Sequence, residues 1–287
     1  MYRDWKRVEA QRCNLDREVS GAHFRNLAVC RLEHLVNGSA PVTIKPAARD
    51  VGCSPRKRGI QLLRLPIIAS PLRGYWWLPA SRGKILSILG GAYEPEQTEV
   101  FLRWVHAGST VIDIGAHAGY YTLLASILAG DGGAVWAFEP EPHNAAFLRR
   151  HIRLNGRRNV HVEELAVCDV TGTARFDRGT GSGTGHLAED GELEVRTVRL
   201  ADFCAARNIR PTALKIDVEG AEESVLEGAR ELISTFRPII FLSTHGYEPH
   251  RRSLAFVRAA GYAVFPILGG DVESTCEILC LPDGTVA

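Results

Sequence analysis

The chain has 287 residues, 45% hydrophobic and 23% charged, with a formal net charge of +1. Such a composition supports a sizeable core and excludes a disordered chain, and near-neutrality removes any global electrostatic reason to bind nucleic acid or an anionic membrane. Seven scattered cysteines without a C-x-x-C pair, no apolar signal core in "MYRDWKRVEAQRC" and no run of about 18 apolar residues point to a cytoplasmic protein with reduced thiols.

Residues 1–83 read as an N-terminal appendage, serving as a lid or an interface. It is Arg-rich and broken by Pro and Gly, with one amphipathic helix around residues 22–36 and a short basic cluster, "SPRKRG", expected as a solvated loop. Tyr75, Trp76 and Trp77 in "GYWWLPA" are expected to plug the appendage against the core, with a substrate lid as the alternative.

The second unit, residues 84–287, has a regular rhythm. The helical stretch "EQTEVFLRWV" precedes the strand "TVIDIG"; a helix from Tyr120 to Leu128, the strand "AVWAFE" and the helix "PHNAAFLRRHIRLNG" follow. "NVHVEELAV" reads as one strand, "LADFCAARN" as a helix, "ALKIDV" as a strand and "AEESVLEGAREL" as one helix. "PIIFLST", "HRRSLAFVRAAG", "YAVFPIL" and "CEILCLP" complete the alternation. Strands separated by helices of this length predict a mostly parallel sheet covered on both faces, and the last two strands, lacking a helix between them, should pair antiparallel at one edge.

One stretch breaks the rhythm: "RGTGSGTGHLAEDGELEVRTV", with glycines at 179, 181, 183 and 185. No Lys follows and no helix begins at its end, so a phosphate loop is not supported. It is expected as a flexible hairpin insertion within residues 172–198, with a lid over the site as the functional alternative.

"TVIDIGAHAGYYTLL" carries an acid, Asp113, inside a buried strand, turns at Gly115 and enters a helix at Gly119. Glycines let backbone approach a ligand, and a helix N-terminus offers unpaired N–H groups. The next strand ends at Glu139, about twenty residues past Gly119, where an acid can hold paired ribose hydroxyls. The G-x-G-x-x-G of a dinucleotide loop is missing, and an acid at Asp113 would repel a pyrophosphate but not an amino group or a sulfonium. S-adenosylmethionine carries both cations.

"GAYEPEQTEVF", "VIDIGAHAGYYTL", "AFEPEPHN", "LAVCD" and "LKIDVEGAEESVLEGA" resemble, in order and spacing, the FkbM-type methyltransferases over roughly residues 84–265. The resemblance implies a class I methyltransferase fold: α/β, a Rossmann-like seven-stranded, mostly parallel sheet with an antiparallel edge strand, here with an N-terminal appendage. It also implies S-adenosylmethionine as cofactor. Asp113, Gly115 and Gly119 would shape the methionine side of its pocket, Glu139 would hold the ribose, Glu164, Leu165 and Ala166 would border the adenine, and Asp217 would face the methyl group; His117 is a cofactor-binding candidate on its own ground, because its loop must touch the cofactor or the acceptor. His117 and Ala118 stand where the family usually has Asn and a branched aliphatic, and "LSTHG" offers Ser243, Thr244 and His245 where a carboxylate often precedes the His.

In "ALKIDVEGAEESVL" period-2 alternation sends Lys215, Asp217 and Glu219 to one side, so Lys215 is expected to pair with Asp217 or a neighbouring acid. Glu222, in the first turn of the next helix, is explained by the helix dipole. Methyl transfer to a hydroxyl needs alignment and a proton acceptor. The candidate catalytic residues are therefore Asp217, to orient the acceptor, His245, as general base, and Glu219 beside them. A divalent metal held by Asp217, Glu219 and His245 stays open, since the carboxylates lack a fixed ligand spacing. His106, His143, His151 and His161 read as ordinary surface residues.

The leading function is S-adenosylmethionine-dependent O-methylation of a hydroxyl on a sugar, glycan or secondary metabolite, the acceptor class being implied by the resemblance alone. A nicotinamide-dependent oxidoreductase and a catalytically inactive, methyltransferase-like binding module are the alternatives. The expected partner is a small-molecule or glycan substrate, with a homo-oligomer open and neither nucleic acid nor membrane involved.

Overall fold

A computed structural model describes residues 63–81, 84–179 and 184–285. The expected helix at 22–36, the "SPRKRG" cluster, residues 180–183 of the glycine-rich stretch and Cys13, Cys30 and Cys53 lie outside the described residues.

A short antiparallel pair, β1 (Leu65–Pro66) and β2 (Trp76–Trp77), precedes the helices Ile85–Gly90 and Pro95–Trp104. Then come β3 (Thr110–Ile114), the helix Tyr120–Ala129, β4 (Ala134–Phe138), the helix Pro142–Leu154 and β5 (Val160–Glu163). Next are β6 (Ala166–Val167), β7 (Gly172–Asp177), β8 (His186–Leu187), β9 (Leu193–Val198) and the helix Leu200–Arg207. The chain continues through β10 (Ala213–Ile216), helices Glu222–Gly228 and Arg230–Phe236, and β11 (Ile239–Ser243). It closes with the helix Tyr247–Ala259, β12 (Tyr262–Pro266) and β13 (Glu277–Pro282). No helix of the described residues is long and apolar enough to cross a membrane.

Seven strands form the main sheet in the order β12-β13-β11-β10-β3-β4-β5. The order reverses beside β3, so the tips of β3 and β10 flank the crevice where an open α/β sheet binds its ligands. β12 and β13 pair antiparallel as expected, but β13, the strand that runs against the others, sits one place in from the edge, between β12 and β11.

Alternation along the strands builds two cores. Val111, Val135, Ala213 and Phe241 face one layer, while Ile112, Ile114, Leu214 and Ile240 face the other. Asp113 falls on the first face beside its cross-strand neighbour Lys215, whose ammonium lies 4.7 Å above the Tyr121 ring.

Two expected elements are divided. "NVHVEELAV" pairs with β4 only as far as Glu163, and Ala166–Val167 then joins a separate sheet, ordered β6-β9-β7-β8. "AEESVLEGAREL" is two helices that meet at Ala229. Gly228 ends the first of them where a Cβ would stand 2.0 Å from the Cys168 carbonyl oxygen, so this helix lies directly on the β6 strand's exit.

The described part of the N-terminal appendage shares the core of the larger unit. Leu72, Tyr75 and Trp77 are buried in one cluster with Phe101, Tyr121 and Leu148, and Trp77 stacks on His151 at 3.7 Å between centroids. Asn155 clamps the same hairpin: the Trp76 N–H donates to its Oδ1 at 2.7 Å, and its Nδ2 donates to the Trp76 carbonyl at 2.9 Å. Asn155→Ala should therefore cost about 1–3 kcal/mol through the unpaired groups it leaves. Urea unfolding checks this, and an unchanged midpoint would show that the hairpin is not held by this clamp.

Candidate functional site

A cavity of about 560 Å³ opens at the carboxyl ends of β3, β4 and β10 and is walled on its far side by the β7–β8 insertion. Gly115 and His117, in the loop after β3, shape its floor. Gly115 has a φ of +80°, and a Cβ there would sit 1.9 Å from the Asp217 carbonyl oxygen, so only glycine lets the β3 loop lie against the β10 tip. The N–H groups of Gly115 and Ala116 both donate to the Phe138 carbonyl. His117 takes a left-handed φ of +48° and turns its N–H toward Glu139 Oε2 at 2.7 Å.

His151 supports this loop from beneath. The ring is buried, its Nδ1–H donates to the Ala118 carbonyl at 2.7 Å, and its Nε2 accepts the Leu78 N–H at 3.0 Å. Burial lowers its pKa to about 4, so the ring is the neutral tautomer those two bonds require. The expectation of a surface histidine is corrected: helical spacing put His151 on the face toward Ala118 and Trp77.

Glu139 is 4% exposed and lines the cavity. Its Oε1 accepts the Glu141 N–H at 3.0 Å and Asn144 Nδ2 at 3.4 Å. Burial dominates these bonds and raises its pKa to about 7. Glu141, the N-cap of the helix Pro142–Leu154, accepts the Asn144 N–H at 2.7 Å and lies 3.5 Å from Arg178 of the insertion.

Of the residues assigned to the cofactor from sequence, Gly115, His117, Glu139 and Ala166 line the cavity, as does Leu165. Asp113, Gly119 and Glu164 do not. Asp113 is buried, accepts Thr122 Oγ1 at 2.5 Å and faces Lys215, so the cation it meets is the chain's own ammonium. Burial raises its pKa, with Lys215 and Thr122 pulling the other way. Gly119, at a φ of +95°, permits close packing, since a Cβ there would meet Leu148 Cδ1 at 2.2 Å. Glu164 is spent on an ion pair with Arg149.

At the β10 tip, Lys215 Nζ and Asp217 Oδ2 pair at 3.0 Å. Lys215 is held protonated: burial opposes the charge, but Asp217, Asp113 and Glu94 outweigh it. Glu219 adopts a left-handed φ of +54°, unusual for a residue with a side chain, before Gly220 turns into the helix Glu222–Gly228. His245, just past β11, brings the acids together: its Nε2 lies 3.6 Å from Asp217 Oδ1 and from Glu219 Oε2, and its Nδ1–H donates to Glu222 Oε1 at 2.7 Å.

Two sequence expectations meet in this cluster. Burial depresses the His245 pKa, but the Glu222 hydrogen bond and the charges of Asp217 and Glu219 outweigh it, raising the value to about 9. The resting ring is thus protonated at neutral pH and donates, so the general-base role expected of it would require the ring to lose that proton first. Glu222, assigned to the helix dipole, is fully buried and orients His245 while accepting the Gly220 N–H at 2.9 Å.

The other wall falls on the stretch expected from sequence as a hairpin insertion, with a lid as its functional alternative. Phe176, Arg178, Gly185, His186 and Leu187 of the insertion line the cavity, together with His143, which favours the lid alternative for that stretch.

Residues 113–264 match the Methyltransferase FkbM domain family. No curated protein matches the chain. Among solved structures it is similar to the FkbM methyltransferase of Methylobacillus flagellatus KT, at 22% identity over 60% of this chain and 43% of that one, with a TM-score of 0.42. The chain thus spans less than half of that protein's length. It is also similar to a precorrin-6y C5,15-methyltransferase from Geobacter metallireducens GS-15, with 16% identity, coverage of 65% and 85%, and a TM-score of 0.41. Aeropyrum pernix fibrillarin, solved with natively bound S-adenosyl-L-methionine, gives 14% identity, coverage of 62% and 67%, and a TM-score of 0.38.

Proposed function

Because this chain belongs to the FkbM methyltransferase family, whose domain spans residues 113–264, we propose that it is an S-adenosylmethionine-dependent O-methyltransferase acting on a hydroxyl of a sugar, glycan or secondary metabolite. The residues present fit that cofactor. The cavity has the size of a small-molecule site, it contains the buried carboxylate Glu139, and its floor at Gly115 has no room for a side chain. Glu139 would accept the ribose hydroxyls, the 115–119 loop would bound the amino-acid end, and Leu165 and Ala166 would flank the base. When bound, S-adenosylmethionine supplies a methyl group on a positively charged sulfur.

The observation that carries the reading is the cluster at the other end of the cavity. Asp217 and Glu219 line it and share His245, so carboxylate acceptors stand where a hydroxyl would be oriented and deprotonated. Asp217 takes the proton-accepting role, steadied by Lys215, while the His245 ring lies 3.6 Å from both carboxylates. A nicotinamide oxidoreductase has no comparable support.

The acceptor partner is a polyhydroxylated small molecule or glycan, without nucleic acid or membrane; a homo-oligomer stays part of the proposal. Cys168, Cys204, Cys276 and Cys280 are buried thiols, which suits a reducing, cytoplasmic setting.

Calorimetric titration of the full chain with S-adenosylhomocysteine, and with NAD for comparison, tests the cofactor. Micromolar binding of the former alone is expected. Binding of neither would leave the inactive-module reading, and binding of NAD would overturn the proposal.

A further inference from the structure

We propose that Asp217, Glu219 and His245 form a divalent-cation site of the Mn²⁺ type. One oxygen from each carboxylate and one ring nitrogen lie within 4.8 Å of one another. His245 Nε2 is 3.6 Å from both Asp217 Oδ1 and Glu219 Oε2, too far for a hydrogen bond to either and close to the spacing of roughly 3–3.5 Å between neighbouring ligands that each sit about 2.1 Å from one ion. The ring is aimed between the two acids rather than at one of them. Lys215 engages the other oxygen of Asp217, leaving Oδ1 on the His245 side.

A second observation comes from behind the ring. His245 Nδ1–H donates to Glu222 at 2.7 Å, the carboxylate–histidine arrangement that fixes a metal-binding imidazole with its other nitrogen forward. Glu222 is completely buried, and its Oε2 has no hydrogen-bond partner. A buried carboxylate with one oxygen unpaired is costly unless positive charge lies nearby. A divalent ion at Nε2, taking the place of the second ring proton, keeps positive charge on the imidazole that Glu222 holds from behind.

The ligand set selects the ion class. One imidazole with two carboxylates, open toward the cavity through Asp217 and Glu219, suits a first-row ion that accepts both nitrogen and oxygen, whereas Mg²⁺ and Ca²⁺ favour all-oxygen shells. Only the ion's role, holding the acceptor oxygen against the carboxylates, rests on the methyltransferase reading; the binding itself does not.

The test is titration of the full chain, freed of metal by chelator and dialysis, with MnCl₂, following the loss of the free-ion electron paramagnetic resonance signal. One site per chain is expected. His245→Ala and Glu219→Gln should each weaken it by at least about tenfold, and Glu222→Gln, which leaves the ligands in place, by about 10–100-fold. Circular dichroism identifies any variant that fails to fold, and the conservative Glu219→Gln then decides. No binding, or binding unaffected by the folded variants, would overturn the site. Because S-adenosylhomocysteine binding is measured separately, failure of the metal site and failure of the methyltransferase reading remain distinguishable.

Discussion

Asp217→Asn should reduce kcat on the order of 10²–10⁴-fold while leaving S-adenosylhomocysteine affinity within a few-fold of the original. The substitution keeps the shape and removes the charge. The main chain at this position is held independently of the side chain, by the Asp217 N–H donating to the Ile114 carbonyl at 3.0 Å and by the close approach of Gly115. What disappears is the anion that pairs with Lys215 at 3.0 Å and faces the cavity. Lys215 keeps Asp113 and Glu94 as compensating charges, so the β10 tip should stay folded. Single-turnover rates and calorimetry on the same preparation check both halves. A variant with full activity would remove Asp217 from the reaction, and one that lost the cofactor would reassign it to binding.

Glu139 should make cofactor affinity depend on pH. Its pKa is about 7, raised by burial, and the ribose hydroxyls are donors that favour its ionised form. Affinity for S-adenosylhomocysteine should therefore fall by about tenfold between pH 8 and pH 6, and Glu139→Gln should bind weakly with that dependence abolished. In the ligand-free protein the linkage has the opposite sign. The folded chain binds this proton more tightly than the unfolded chain, about 7 against 4.5, so the stabilisation is complete below pH 4.5 and is lost as pH rises through 7. The difference is on the order of 3 kcal/mol. Calorimetry across the range, paired with urea unfolding of both proteins, checks the two signs together. A pH-independent affinity in the unsubstituted protein would exclude Glu139 as the hydroxyl acceptor.

Much of the frame was legible because it is local. Period-2 alternation in "TVIDIG" and "ALKIDV" set which residues face each core, and helix-length spacers implied parallel crossovers. Glu139 at a strand end and the Lys215–Asp217 pair followed from the same alternation, the latter forming at 3.0 Å. Less could be read where burial or a distant strand decides the chemistry. Asp113 had a cofactor-like position, but its register opposite Lys215 turned it into a core charge. His151 read as a surface residue because nothing in its own helix announced that residues 72–78 would pack over it.

By itself, then, the sequence determined the order and type of the elements, the two-faced sheet and the carboxylates carried by the strand ends, since these depend on neighbours a few residues apart. Only the tertiary structure decided that β13 lies between β11 and β12, that the insertion walls the cavity, and that Glu222 and His245, 23 residues apart in the chain, form one charged unit with Asp217 and Glu219. The reason is physical. A carboxylate or imidazole is set to its task by desolvation and by charges within a few ångströms, and those distances exist only once strands remote in sequence are packed side by side.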